Sequence, residues 1–181
     1  MTTAQFAWLG LVVVLGLWML GAHNRVTAMR GAVISAWAVV DQALTTRGRA
    51  LDDLLAAVAA PLASEAAARD AVTQAQAQVR AAAEALRRKP VTPDAVADLS
   101  KADAVLAAVL VRLLSLLEQQ PALQADGAVR TPMSTLRELS PQLAFARQRF
   151  NEAGSAYNAA TQQFPTRLLG SVFQFGRAGK L

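Results

Sequence analysis

The amino-terminal stretch most constrains what this chain can fold into, because residues 6–22 form an unbroken run of apolar residues and glycine. No charged side chain precedes Arg25. With its flanks the run reaches the roughly 20 residues that cross a bilayer core as a helix. Trp8 and Trp18 lie near its two ends, where indole rings favour the membrane interface. The sequence therefore predicts a transmembrane anchor over residues 1–23.

A cleaved signal peptide is the alternative interpretation of this run. Such a peptide has basic residues before the apolar run and a small-x-small cleavage site after it. Here no Lys or Arg precedes the run, and a cut after Ala22 would have Leu20 where a small residue is required. These two departures favour an anchor that is retained.

The charges that follow the anchor give an expected orientation. Arg25 and Arg30 come directly after it, and Asp41 is the first acid. Because positive residues favour the cytoplasmic side, we expect a single-pass protein of a bacterial-type cell membrane with its amino terminus outside and its main domain in the cytoplasm. A domain on the extracytoplasmic side is the alternative.

Beyond the anchor, apolar residues recur every three or four positions, which is the period of an amphipathic α-helix. No break separates the anchor from this pattern, so we expect one continuous helix that ends at residue 60, before Pro61. Eight of the ten stripe positions are apolar, and the other two are Arg30 and Arg47. The apolar ones are Val26, Val33, Trp37, Val40, Leu44, Leu51, Leu54 and Val58.

Three further helices are predicted. An alanine-rich helix covers residues 62–89, and another covers residues 93–120. The apolar centre of the latter, residues 105–117, indicates a helix that is covered on several sides, with a second membrane-contacting segment as the alternative. The last helix is predicted to begin with Thr131 as N-cap and a proline at N1, and Pro141 should kink it or delay its start.

The predicted fold is thus all-α: an N-terminal transmembrane helix that continues into an antiparallel bundle of about four long helices over residues 24–165. The remaining residues, 166–181, form an apolar and basic tail without an acid. The first and third helices lead away from the membrane and the second and fourth return to it, so this tail should lie at the bilayer. Its composition suits an anionic membrane surface.

The segment FNEAGSAYNAATQQFP, residues 150–165, sets an aromatic residue beside an asparagine twice, seven residues apart. Phe150 and Tyr157 fall on the apolar stripe of the last helix, so we expect them in the seam between helices. Asn151 and Asn158 follow at the edge of that stripe, where they would hydrogen-bond a neighbouring helix or face water. A ligand site is the alternative for this segment.

Two arginines interrupt the stripe of the first helix. A buried guanidinium must be paired, so Arg30 and Arg47 are expected to form salt bridges with acids of a facing helix or to bind an anion or a lipid headgroup. If no acid faces Arg47, the substitution Arg47→Leu should leave the fold stable.

Three stretches resemble the LemA family. Residues 23–47 are similar to its first extramembrane helix and include Asn24, Trp37 and Asp41; residues 118–126 and 145–165 are similar to its Glu-x-x-Pro-x-Leu connection and its paired aromatic-Asn stretch. The chain departs from the family pattern at Gly154, where a valine is usual. The resemblance implies a membrane-anchored bundle of long antiparallel helices. It does not point to a particular reaction.

The composition limits the possible chemistry. The chain has no cysteine and a single histidine, His23, so thiol catalysis, Cys-ligated metals and multi-histidine metal sites are excluded. Basic residues are spread evenly, which argues against a nucleic-acid partner. We therefore expect no catalytic residue, metal or cofactor. The candidate interaction or structural polar residues are Arg30, Arg47, Trp37, Asp41, Asn151, Tyr157 and Asn158.

The function that we expect is that of a membrane-anchored scaffold or interaction protein of the cell envelope, whose partners are membrane lipid and other membrane or envelope proteins. A lipid- or anion-binding helical module at the membrane surface is the alternative. Self-association is also possible, since the alanine-rich helix could pack against a second copy.

Overall fold

The computed structural model describes residues 3–163 and 176–181 of the chain. It confirms the all-α fold: a long N-terminal apolar helix is followed by a helical bundle, and no strand occurs among the described residues. The helices are α1 (Thr3–Ala57), α2 (Ala66–Arg88), α3 (Pro93–Glu118), α4 (Pro121–Ala125) and α5 (Gly127–Gln162), with a short 3-10 helix at Ala63–Glu65.

α1 is one uninterrupted helix of 55 residues, which corresponds to about 83 Å at 1.5 Å per residue. Its amino-terminal third is apolar, and its large apolar side chains from Phe6 to Leu20 are exposed. By length and composition this helix can cross a membrane. The first α1 residue in the hydrophobic core is Val26, and from there one stripe of the same helix is buried in the bundle.

The eight apolar positions of the predicted α1 stripe are all buried. The expected burial of Arg30 is wrong, since this residue is exposed, and its contact with an anion or a lipid headgroup stays a prediction. The Arg30 side chain is long enough to keep its guanidinium group in water from a position between Val26 and Val33. Arg47 is largely covered, with 17% of its side chain exposed.

α1 packs mainly against α5, and α2 packs mainly against α3. Ion pairs set α2 antiparallel to α1: Arg87 binds Asp41 at 2.8 Å, and Arg80 binds Asp52. The amide of Gln76 also donates to the Gly48 carbonyl at 2.8 Å.

The prediction that α3 is covered on several sides is wrong. Its buried residues lie on one face, where Leu106, Leu113 and Leu117 join the core. On its other faces Val105 is 46% exposed and Val111 is 65% exposed. Among the described residues α3 packs mainly against α2, so a single face of α3 is covered.

α5 begins earlier than predicted. Its N-cap is Asp126, whose side chain accepts from the Ala128 backbone N–H at 2.9 Å. Pro132 therefore lies inside the helix, as does Pro141, and the helix continues through both. Burial of Val129 and Pro132 explains this start, because the earlier turn extends the apolar stripe of α5 into the core.

Candidate functional site

An ion cluster joins three helices in the middle of the bundle. Asp103 of α3 lies between Arg47 of α1 and Arg147 of α5. One carboxylate oxygen accepts from Arg47, and the other accepts from Arg147 Nη2 at 2.7 Å. Because only 12% of the Asp103 side chain is exposed, this carboxylate needs both arginines to offset its desolvation.

The pKa of Asp103 shows the balance of these effects. Burial alone would raise the pKa of this carboxyl group, but the charges of Arg47 and Arg147 and their hydrogen bonds outweigh burial and hold the pKa below its usual value. Asp103 is therefore ionised at neutral pH. Two guanidinium groups facing one carboxylate leave the ion cluster with a net charge of about +1.

A cleft of about 510 Å³ opens beside the ion cluster. Arg47, Asp103 and Arg147 form its charged end, and Arg137 and Glu118 lie along its polar edge. Its walls are mostly apolar and come from α3 and α5: Leu110, Leu114, Met133, Leu136, Leu139, Leu143 and Ala144.

The two aromatic residues of the FNEAGSAYN stretch lie in the helix seam. Phe150 is fully buried and Tyr157 is 2% exposed. The ring of Phe150 contacts the indole of Trp37. Burial raises the pKa of the Tyr157 phenol, and the positive charge of Arg30 opposes that rise.

The two asparagines hold an extended segment of the chain itself. Asn158 donates to the Ala178 carbonyl at 3.0 Å and accepts from the Ala178 N–H at 2.8 Å. Asn151 does the same with Leu181, at 2.7 Å and 2.8 Å. Each side-chain amide therefore pairs with both main-chain groups of one residue.

The spacing of these hydrogen bonds has a simple geometric reason. Seven residues separate the asparagines on the helix, which is about 10.5 Å at 1.5 Å per residue. Ala178 and Leu181 are three positions apart, which is about 10 Å in an extended chain. The segment runs antiparallel to α5, because its later residue binds the earlier asparagine.

Two glycines allow this close approach. A Cβ at Gly154 would lie 3.3 Å from the Gly179 carbonyl oxygen. A Cβ at Gly179 would lie 2.7 Å from Val96 Cβ and 2.9 Å from Pro93 Cα. We name the surface formed by Asn151, Gly154 and Asn158 of α5 with Pro93 and Val96 of α3 the segment groove. It explains the glycine at position 154, where a valine would collide with the bound chain.

Residues 176–181 thus pack on the bundle, with Ala178 buried and Leu181 against the core. Arg177 and Lys180 of this segment are exposed. The predicted membrane contact of the tail falls, for residues 166–175, outside the described residues.

The remaining predicted polar residues lie apart from these two sites. Asp41 binds Arg87, and the hydrogen bonds that Arg87 donates to the carboxylates of Asp41 and Glu84 hold the pKa of Arg87 above its ordinary value. The second oxygen of Asp41 and the indole Nε1 of Trp37 are buried without a hydrogen-bond partner in the described part of the chain. Of the two alternatives for Arg47, the structure has the salt bridge.

Sequence reasoning missed Asp103, Arg147 and the segment groove. The signal for Asp103 was present, because it is the only polar member of a stripe that steps by three and four along α3: Val96, Leu99, Asp103, Leu106, Leu110, Leu113 and Leu117. No sequence pattern relates Asn151 and Asn158 to residues 176–181, so the segment groove was visible only in three dimensions.

Comparison with known families agrees with this architecture. The family model described as the LemA family matches residues 36–180, which is most of the chain. The chain belongs to the LemA family. The LemA match covers the buried residues of α1 from Trp37 onward, the ion cluster, the segment groove and residues 176–180 of the extended segment. No curated protein matches the chain.

LemA family membership supports a membrane-associated helical protein. Within residues 3–163 and 176–181, no group of three or more His, Asp or Glu side chains could hold a metal ion. In the ion cluster and the segment groove, the polar side chains pair with one another or with main-chain groups.

Proposed function

We propose that this LemA family protein is a membrane-anchored helical scaffold of the cell envelope that presents its bundle to other membrane or envelope proteins and catalyses no reaction. The observation that carries the proposal is the continuity of α1. The same helix supplies an exposed apolar stretch long enough to cross a bilayer and the buried stripe that begins at Val26. Such a rod would transmit the position of the anchor to the whole bundle.

The polarity of the described residues supports the same proposal. The buried carboxylate of Asp103 is neutralised by two arginines, so it is poorly suited to accept a proton in a reaction. We further propose that the bundle lies in the cytoplasm, with the amino terminus outside, because Arg25 and Arg30 follow the apolar stretch.

Membrane fractionation of cells tests the anchor. Leu15→Arg places a charge in the middle of the exposed apolar stretch, which costs about 2.5–3.5 kcal/mol of insertion free energy, and should move much of the protein out of the carbonate-washed membrane. Val39→Arg is the matched control, because Val39 is a 59% exposed apolar residue of the same helix within the bundle. Equal retention of both variants would contradict the anchor.

A second experiment tests the scaffold role and the orientation. A photo-crosslinking side chain at Phe145, which is 61% exposed on α5, should give defined adducts with envelope proteins in wild-type cells, and these should disappear in the Leu15→Arg background. A reporter enzyme that works only in the cytoplasm should be active when it is fused after Leu181. Adducts that persist without the anchor would contradict a membrane-tethered scaffold.

The cleft beside the ion cluster favours a second candidate function, binding of an anionic amphiphile. Its net positive end suits a carboxylate or phosphate, and its leucine-rich walls suit an acyl chain. Native mass spectrometry of the full chain should then show a bound acidic lipid. Leu136→Trp, which fills the cleft, should abolish it, while Phe145→Trp on the exposed side should not.

A further inference from the structure

We propose that the segment groove is an exchangeable peptide-binding site, and that the segment Gly176–Leu181 of a second copy of this chain can occupy it in place of the chain's own segment. In the structure the groove holds its own segment. The exchange would link neighbouring copies of the protein through identical hydrogen bonds and apolar packing.

The chemistry of the groove makes it a receptor for an extended backbone. Asn151 and Asn158 form four hydrogen bonds with main-chain groups of the segment: each side-chain Nδ2 donates to a C=O and each Oδ1 accepts from an N–H. Side-chain amides that read a backbone in this way accept many sequences, so selectivity must come from shape. Gly179 supplies that selectivity, because any side chain there would collide with Val96 and Pro93.

The ligand is therefore an extended peptide with a small residue, a glycine, any residue and an apolar residue in order. Ala178 and Leu181 take the first and last positions and bury apolar surface. Lys180 takes the free position and is exposed. The segment of every copy satisfies this pattern, so a second copy is the occupant that the groove fits best.

The chain length between groove and segment permits exchange. Twelve residues separate Gln163 from Gly176, and thirteen peptide steps reach about 43 Å when extended. A helix with its side chains is about 10 Å in diameter, so a bundle two helices wide is about 20 Å across. A segment can therefore reach an adjacent bundle. The exchange costs little free energy, because the incoming segment forms the same hydrogen bonds and apolar packing as the segment that it replaces.

The position of the groove favours a neighbouring copy if the protein is anchored as proposed above. Tyr157, between the two asparagines, lies close enough to Arg30 for its pKa to respond to that charge. Arg30 is seven residues beyond the anchor, or about 10 Å along α1. Anchored copies would hold their grooves at one height above the bilayer, which raises the effective concentration of neighbouring segments.

Complementation between two full-length variants tests the exchange in detergent solution, where the result does not depend on membrane insertion. The first variant, Gly179→Val, has an intact groove and a segment that cannot bind. The second, Asn151→Ala with Asn158→Ala, has an intact segment and a disabled groove. Because the chain has no cysteine, Gln148→Cys in the first variant and Lys180→Cys in the second provide unique sites for a short bismaleimide crosslinker.

The yield of crosslinked dimer from the mixture should be at least tenfold higher than the yield from either variant alone. A free peptide of residues 176–181 should compete for the crosslink, and the same peptide with Gly179→Val should not. The exchange is overturned if the mixture crosslinks no more than the separate variants while both keep wild-type helix content by circular dichroism, or if both peptides compete equally. Failure of the anchor would appear only in the fractionation of Leu15→Arg.

Discussion

The indole of Trp37 on α1 meets the ring of Phe150 on α5 edge-on, with 6.2 Å between ring centroids and 69° between ring planes. Aromatic pairs in this geometry add about 0.5–1.5 kcal/mol to the stabilisation from buried area. The pair fixes α5 against the part of α1 that follows the exposed apolar stretch. It explains why an aromatic residue precedes Asn151: the ring faces the seam and the amide faces the extended segment.

Phe150→Ala should lower the free energy of unfolding by about 3–5 kcal/mol, because it leaves a cavity beside Trp37 in the core. Phe145→Ala is the matched control on the same helix, since Phe145 is 61% exposed, and should change it by less than about 0.5 kcal/mol. Denaturant unfolding followed by circular dichroism measures both values. Similar losses of stability in the two variants would contradict the assignment of Phe150 to the seam.

Asp103→Asn should lower the free energy of unfolding by about 3 kcal/mol, because it leaves Arg47 and Arg147 facing each other without their counter-charge. Asp98→Asn on the same helix is the control: 69% of the Asp98 side chain is exposed and its partner Lys101 is 4.0 Å away, so a change below about 0.5 kcal/mol is expected. Since an acid does face Arg47, Arg47→Leu should also destabilise the protein, by leaving Asp103 with a single partner. Stability equal to wild type in Asp103→Asn would show that the ion cluster contributes nothing.

The stability conferred by Asp103 should depend on pH in one direction. Its pKa is lowered in the folded protein, relative to about 3.9 in an unfolded chain. The contribution is therefore complete above the unfolded pKa and is lost as the pH falls through the folded pKa. The difference in unfolding free energy between wild type and Asp103→Asn should stay constant from about pH 7 to pH 5 and shrink below about pH 4. A difference that grows in acid would contradict this assignment.

Gly154→Val should release the extended segment, because even a Cβ at this position lies 3.3 Å from the Gly179 carbonyl oxygen. Trypsin should then cleave after Arg177 and Lys180 roughly tenfold faster, which corresponds to about 1.4 kcal/mol of docking free energy. Ala156→Val, an exposed position two residues further along α5, is the control for adding a β-branched residue to this helix. Mass spectrometry of the released peptides measures the rates, and equal rates in the two variants would rule out the groove's role in holding the segment.

Sequence periodicity was sufficient for the long helices and their buried faces. The eight apolar stripe positions of α1 are buried, because an uninterrupted step of three and four residues can face only one side of a helix. It was insufficient at the helix ends and at polar stripe positions. Thr131 looked like an N-cap, but the Asp126 cap and the burial of Val129 extended α5 past it, and Arg30 turned out to be exposed.

The sequence by itself determined the class of this protein: an apolar run without charge, four amphipathic stretches between proline-rich breaks, and a residue inventory without cysteine. These are local properties, since the burial of a helix face follows from residues within a few turns of one another. Only the tertiary structure decided which polar residues meet. Asp103 finds Arg47 and Arg147, and Asn158 finds Ala178, because residues 20 to 56 positions apart become neighbours only when the helices pack, and no local pattern encodes that distance.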